Sequence, residues 1–152
     1  MEINRVKVIA FAVTQMLEEA AEEDRAAGYI HLFGVSQCAV LLAQKRGLDT
    51  ELAAVCGLLH DYASYKTGES ENHAENSANM SLPILAKTEL FTPCEIGVIA
   101  TAIAKHSDKD SVGESYEELL KDADVLQHAL YNGGVSEKHA ERYEKIKPEL
   151  GI

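Results

Sequence analysis

Positive charge is what this chain has least of. Fourteen lysines and arginines face twenty-five aspartates and glutamates, a formal net charge of −11 over 152 residues. A nucleic-acid polymer needs a basic face that neutralises phosphates, so no such partner is expected. Even a small phosphate would meet a repulsive field, and could be held only where a lysine or a metal ion supplies local positive charge. Cysteine is scarce too: Cys38, Cys56 and Cys94 stand singly in apolar runs, with no Cys-x-x-Cys pair. An odd set cannot close completely within one chain. The simplest expectation is three buried thiols acting as small hydrophobes in a reducing compartment, most simply the cytoplasm. The opening "MEINRVKVIAFAVTQMLEEAAEEDR" lacks a basic start, an uninterrupted apolar core and a small-residue cleavage site. No leader peptide, bilayer-spanning run or membrane partner is therefore expected. Strand-period alternation, repeats and low-complexity tracts are also missing.

Helical periodicity fills the space. Apolar residues make up 46% and charged residues 26%, ordinary for a soluble globular protein, and the length suits one domain over residues 1–152. Val6, Ile9, Val13 and Leu17 recur at helical spacing, in a segment expected to break near Gly28. "YIHLFGVSQCAVLLAQKR" puts Val35, Cys38 (or Ala39) and Leu42 on one face and stops at Gly47. Asp49 is placed to cap "TELAAVCGLLHD", a segment apolar all round and therefore central. A polar loop is expected over 63–71, then a helix "NHAENSANMSLPILAKT" that Pro83 bends or restarts. Thr92, Pro93 and Glu95 form a start signal for "TPCEIGVIATAIAKH". A second polar loop over 107–114 leads into "SYEELLKDADVLQHALYN", stopped at Gly133-Gly134. A charged last helix follows, to about Lys147 before Pro148. The expected fold is an all-α bundle of about six or seven helices.

Four of the six histidines share a position. His31 and His73 are expected at helix starts, His60 and His106 at helix ends, where a bundle of short helices can gather side chains into one pocket. Asp61 follows His60 directly, and Asp124 lies among Leu119, Leu120, Val125 and Leu126. Burying a carboxylate costs several kcal/mol unless a cation compensates it. Imidazole and carboxylate together make a metal-ligand set. Taken singly, each residue is more simply a satisfied helix end: His60 bonded to a carbonyl, Asp61 capping a turn. Taken together they point to a bound cation.

The order His31, His60-Asp61, His73, His106, Asp124, with "AAVCGLLHD" entering the doublet and "KDADVLQ" closing the set, resembles the HD-domain superfamily of metal-dependent phosphohydrolases. The resemblance covers about residues 29–131. It implies a first metal on His31, His60, Asp61 and Asp124, with Asp122 a rival for the last place. It implies a second on His73 and His106, from "NHAENSA" and "AIAKHS", with Asp61 bridging. One or two divalent transition-metal ions (Mn, Fe, Co, Ni or Zn) would be the cofactor. The implied reaction is hydrolysis of a small phosphomonoester or nucleotide by a metal-bound hydroxide. Lys66 and Tyr65, just after the doublet, are candidates to receive the phosphate. His128, one turn after Asp124, could orient a ligand or protonate the leaving group. Lys105 is a lesser candidate, and His139 is expected in solvent.

Some family elements are missing: the extra Glu-Asp of alarmone hydrolases, the Gly-Tyr-Pro of cyclic dinucleotide phosphodiesterases, and a basic residue in "LFGVS" after His31. Two other functions use the same ligands: a di-iron oxygenase of the superfamily, and a non-catalytic metal- or partner-binding helical module. The oligomeric state is open, since the first helix could cover the core or pair with a second subunit.

Overall fold

The computed structural model describes residues 2–152. It contains seven helices of ten or more residues, two shorter ones and no strand among the described residues, the all-α class expected. Helix α1 (Arg5–Glu19) starts where the Asn4 side chain accepts the Lys7 N–H at 3.0 Å. Ile9, Val13, Met16 and Leu17 form its buried stripe.

Gly28 does not break the chain. Helix α2 (Glu22–Gly28) passes through a π-helical turn, Tyr29–Phe33, straight into α3 (Gly34–Arg46). Gly28 is there for space, because a Cβ would stand 2.4 Å from Leu17 Cδ2. His31 consequently sits inside a long helix rather than at a helix start, in a π turn of the kind that often marks a functional site. The joined helix 22–46 is, by length and composition alone, long and apolar enough to cross a membrane, which corrects the expectation that no run would be. Its buried side packs against α4 (Thr50–Leu59) and α8 (Ser115–Asn132), the place of a core helix.

Asp49 caps α4 by accepting the Glu51 and Leu52 N–H groups at 2.8 and 3.2 Å, and eight of its ten residues are buried. The helix crosses α3 so closely that a Cβ on Gly57 would stand 2.5 Å from Ser36 Cα. Three residues on, the helix ends at the doublet. Asp61, at φ −115° and ψ 20°, lies in the sparsely populated region between α and β.

The loop expected over 63–71 is helical as far as Thr67 and non-helical from Gly68 on. Helix α5 (Tyr62–Thr67) runs to Gly68, and its start is fixed by the Ala63 N–H donating to Ser77 Oγ at 3.0 Å. A tertiary partner from α6 (His73–Thr88), invisible in the local sequence, stabilises that short turn. Pro83 is accommodated inside α6. Helix α7 (Pro93–Lys105) carries the anticipated Thr92/Glu95 capping box. After a 3₁₀ turn at Glu137–His139, α9 (Ala140–Leu150) runs past Pro148, which falls in the last turn. Of the cysteines, Cys56 is buried and Cys38 half-buried, but Cys94 is exposed. It lies before the buried stripe of Ile99, Ala102 and Ile103 begins.

Candidate metal centre

The histidines and aspartates singled out above meet where α3, α4, α6, α7 and α8 converge. His31 comes from the π turn, His60 and Asp61 from the end of α4, His73 from the start of α6, His106 from the end of α7 and Asp124 from the middle of α8. His31, His60, His106 and Asp124 are buried and His73 is half-buried.

All four imidazoles are oriented the same way. The Nδ1 groups of His60 and His106 donate to the carbonyls of Gly57 and Ile103, each at 2.7 Å, and that of His73 to Ser70 O at 3.0 Å. His31 Nδ1 donates to Gln127 Oε1 at 2.8 Å. With Nδ1 used as the donor, each neutral ring turns the Nε2 lone pair inward, as a metal-ligating imidazole requires.

The lone pairs converge in two groups, one on each oxygen of Asp61. Asp61 Oδ2 lies 3.1 Å from His31 Nε2 and 3.2 Å from His60 Nε2. Asp61 Oδ1 lies 3.1 Å from His106 Nε2 and 3.4 Å from His73 Nε2. The first group also takes in Asp124 Oδ1, 3.4 Å from His31 Nε2 and 3.7 Å from His60 Nε2. Ligands held about 2.1 Å from a tetrahedral ion stand about 3.4 Å from one another, so these separations are those of a ligand shell.

Electrostatics agree with the geometry. The His31 and His60 Nε2 atoms approach to 3.0 Å, an arrangement of facing lone pairs that needs a proton or a cation between them. Asp124 Oδ1 is buried and has no hydrogen-bond partner among the described residues. A buried carboxylate oxygen left that way is costly, and a cation satisfies it. Burial alone would push His60 down, but Asp61 and Asp124 outweigh it and raise the imidazole to about 10. Burial acts upward on both carboxyls and is likewise outweighed. His60, together with His106 and His31, holds Asp61 well below the usual range, and His128 with His60 does so for Asp124. His106 is shifted down, chiefly by its burial. The donor set fits a divalent cation.

Asp122 is bonded by Arg46 and Arg142, each at 2.7 Å, and stands in none of the groups of facing donors. His128 stands at the edge of the group. Its Nε2 is 3.5 Å from Asp124 Oδ1, its ring is 4.7 Å from that of His31, and about half of its side chain is exposed. Tyr65 lines the adjoining cavity with Asp61, and burial, with the Asp61 charge, raises its phenol to about 12. Lys66 is not brought to the centre. The helical course of α5 carries it to an exposed position, with Nζ 5.8 Å from the Tyr62 ring. Lys105 is also exposed, and His139 is half-buried rather than in solvent.

The lysine at the centre is Lys109. Its Nζ donates to Asp124 Oδ2 at 2.7 Å and to His106 O at 3.1 Å, while Arg142 Nη2 holds its carbonyl at 2.9 Å. Sequence reasoning passed over Lys109 and Gln127. The available signals were spacing alone: Lys109 three residues after His106, Gln127 three after Asp124 on one helix face.

An all-α domain in which four inward-turned histidines meet a buried and a partly buried aspartate defines a helical protein with a donor set that could hold a metal ion. The HD domain family model matches residues 28–129, which span all six of these residues, and the chain belongs to the HD domain family. Ribonuclease Y of Thermus thermophilus is 31% identical over 99 residues, 65% of this chain. The match covers 16% of that protein's length. No solved structure matches the chain.

Proposed function

We propose that this protein is a metal-dependent phosphohydrolase that cleaves a small phosphomonoester or nucleotide. The observation that carries the reading is the division of the donors over Asp61. One oxygen faces His31 and His60, and the other faces His73 and His106. A carboxylate shared in this way suits two ions, one completed by Asp124. Divalent ions so held would polarise phosphoryl oxygens and lower the pKa of water toward neutrality.

The chain's own groups have separate tasks. Water gives up a proton to solvent as it adds to phosphorus, the P–O ester bond breaks, and the alcohol oxygen must leave with a proton, which its donor regains from solvent. His128 would deliver it: its half-exposed ring borders the cavity, and the neighbouring Asp124 raises its pKa. Lys109 supplies fixed positive charge beside Asp124, which a chain of net −11 needs before an anion can approach. Tyr65 stays a neutral phenol, a hydrogen-bond donor in the cavity wall. Ribonuclease Y is by its name a nuclease, but the acidic surface here disfavours a polyanionic chain, and a small substrate is proposed.

The test is elemental analysis of the purified protein beside Asp61→Ala and His106→Ala, followed by a phosphate-ester panel with the metal found. About two ions in the wild type, both weakened in Asp61→Ala and one in His106→Ala, with turnover of a monoester, support the reading. Wild-type turnover by Asp61→Ala refutes it.

A further inference from the structure

The cavity beside the centre is about 500 Å³, within the range of small-molecule sites. Its lining is of two chemical kinds. Part of the lining is His31, Asp61 and His128; another part is the apolar set Ala27, Ile30 and Tyr131. Ile30 precedes His31 in the π turn, and Tyr131 follows His128 by three residues on α8. The elements that place the chemical groups therefore also place the apolar wall. Ile30 and Tyr131 are 40% and 65% exposed, large apolar side chains left open at the mouth of a site. A second cleft of about 470 Å³ shares Ile30 and Tyr131 and extends the apolar surface to Leu41 and Leu130.

No lysine or arginine lines this cavity. Lys109, bonded to Asp124, faces a separate cleft of about 420 Å³ together with Lys138, Arg142 and Lys145, where Arg142 is paired with Glu118 and Asp122, and Lys145 with Glu141. A second phosphate on the substrate would find no basic side chain in the cavity wall to pair with. An uncharged group with a flat apolar face would cover Tyr131 and Ile30 and lose no solvation of charge. The amide of Asn132, also in the wall, can meet a polar edge on such a group.

We infer that the substrate is a monoester joining one phosphoryl group to an uncharged moiety with a flat, largely apolar face, and that Tyr131 and Ile30 determine this specificity. The inference rests on the phosphohydrolase reading for its chemistry, but not for its binding test.

The test uses matched pairs on metal-loaded protein. Benzyl phosphate and ethyl phosphate, both esters of primary alcohols, are compared as substrates. Benzylphosphonate and methylphosphonate, which are not hydrolysed, are compared as ligands by calorimetry. The wild type is expected to favour the benzyl member of each pair by at least about tenfold, the discrimination a hydrophobic pocket provides. Tyr131→Ala is expected to keep its metal and lose most of that preference, and Ile30→Ala to lose part of it. If benzyl and small alkyl compounds bind equally well, or if Tyr131→Ala leaves the ratio unchanged, the inference is overturned. Failure to turn over either ester would count against the hydrolase reading, and the phosphonate ratio would still decide the specificity question.

Discussion

Gln127 is the sharpest test of how the site is built. Its Oε1 accepts the Nδ1 proton of buried His31 at 2.8 Å, which fixes the tautomer that faces the cation site with a lone pair. Gln127→Met keeps an unbranched side chain of similar length over Gly34, whose Cβ, if present, would stand 2.8 Å from Gln127 Cγ. It replaces the acceptor with a weak thioether. Nδ1–H then loses its partner in a buried place, at a cost of about 1–3 kcal/mol. The ring can escape by moving its proton to Nε2, where it blocks the metal. Loss of such a supporting bond typically lowers metal affinity about 10–100-fold, roughly 1.4–2.7 kcal/mol. Gln127→Glu is the control: it keeps an acceptor on Nδ1 and makes the imidazole more basic, so affinity should be retained or raised. Competition titration against a chelator, with the metal the purified protein carries, measures both variants. Equal metal affinity in wild type and Gln127→Met would show that the tautomer is not set by this bond.

Other predictions concern charge and packing. In the metal-free protein His60 is raised from 6.5 to about 10, so its contribution to stability is complete below about pH 6.5 and disappears as pH rises through about 10. Asp61 and Asp124 are lowered from 3.8, so theirs is present above about pH 3.8 and is lost as pH falls through their folded values. Stability of the metal-free chain should therefore decline on the alkaline side, and metal binding should expel the His60 proton. Apparent affinity would then rise about tenfold per pH unit below 10, with one proton released, measurable by calorimetry in buffers of different ionisation enthalpy. A pH-independent affinity would contradict the assignment. Lys109→Met should tighten metal binding several-fold while weakening inorganic phosphate binding to the loaded protein, because one cation no longer offsets Asp124; movement of both in the same direction would argue against that role. Gly57→Ala forces a methyl against the Ser36 backbone and should cost about 1–3 kcal/mol, seen as a lower Tm, with weaker metal binding because His31 and His60 ride on the two displaced helices. An unchanged Tm would mean that the crossing is looser than described.

Much of the scaffold can be read locally. The α1 stripe, the Asp49 cap, the almost wholly apolar α4 and the Thr92/Glu95 box were legible because caps and 3.6-residue periodicity depend on neighbours in sequence. The ordered set His31, His60-Asp61, His73, His106, Asp124 stood out through its resemblance to a known family, helped by the apolar runs beside His60-Asp61 and Asp124. Where sequence reasoning went astray, a long-range contact intervened. Leu17 makes Gly28 a point of close approach rather than a break, and Ser77 holds the start of a helix that composition assigns to a loop.

The sequence by itself therefore determined the class of fold and which side chains are chemically out of place in a core. Only the tertiary structure decided how they meet. It gave Asp122 to two arginines and left Asp124 facing the histidines, and it set Lys109 beside Asp124 while leaving Lys66 on the exposed side of α5. It also divided four histidines between the two oxygens of one carboxylate. The physical reason is that helix formation depends on residues within about one turn, whereas the direction of a side chain and the charge it meets depend on which helix packs beside it.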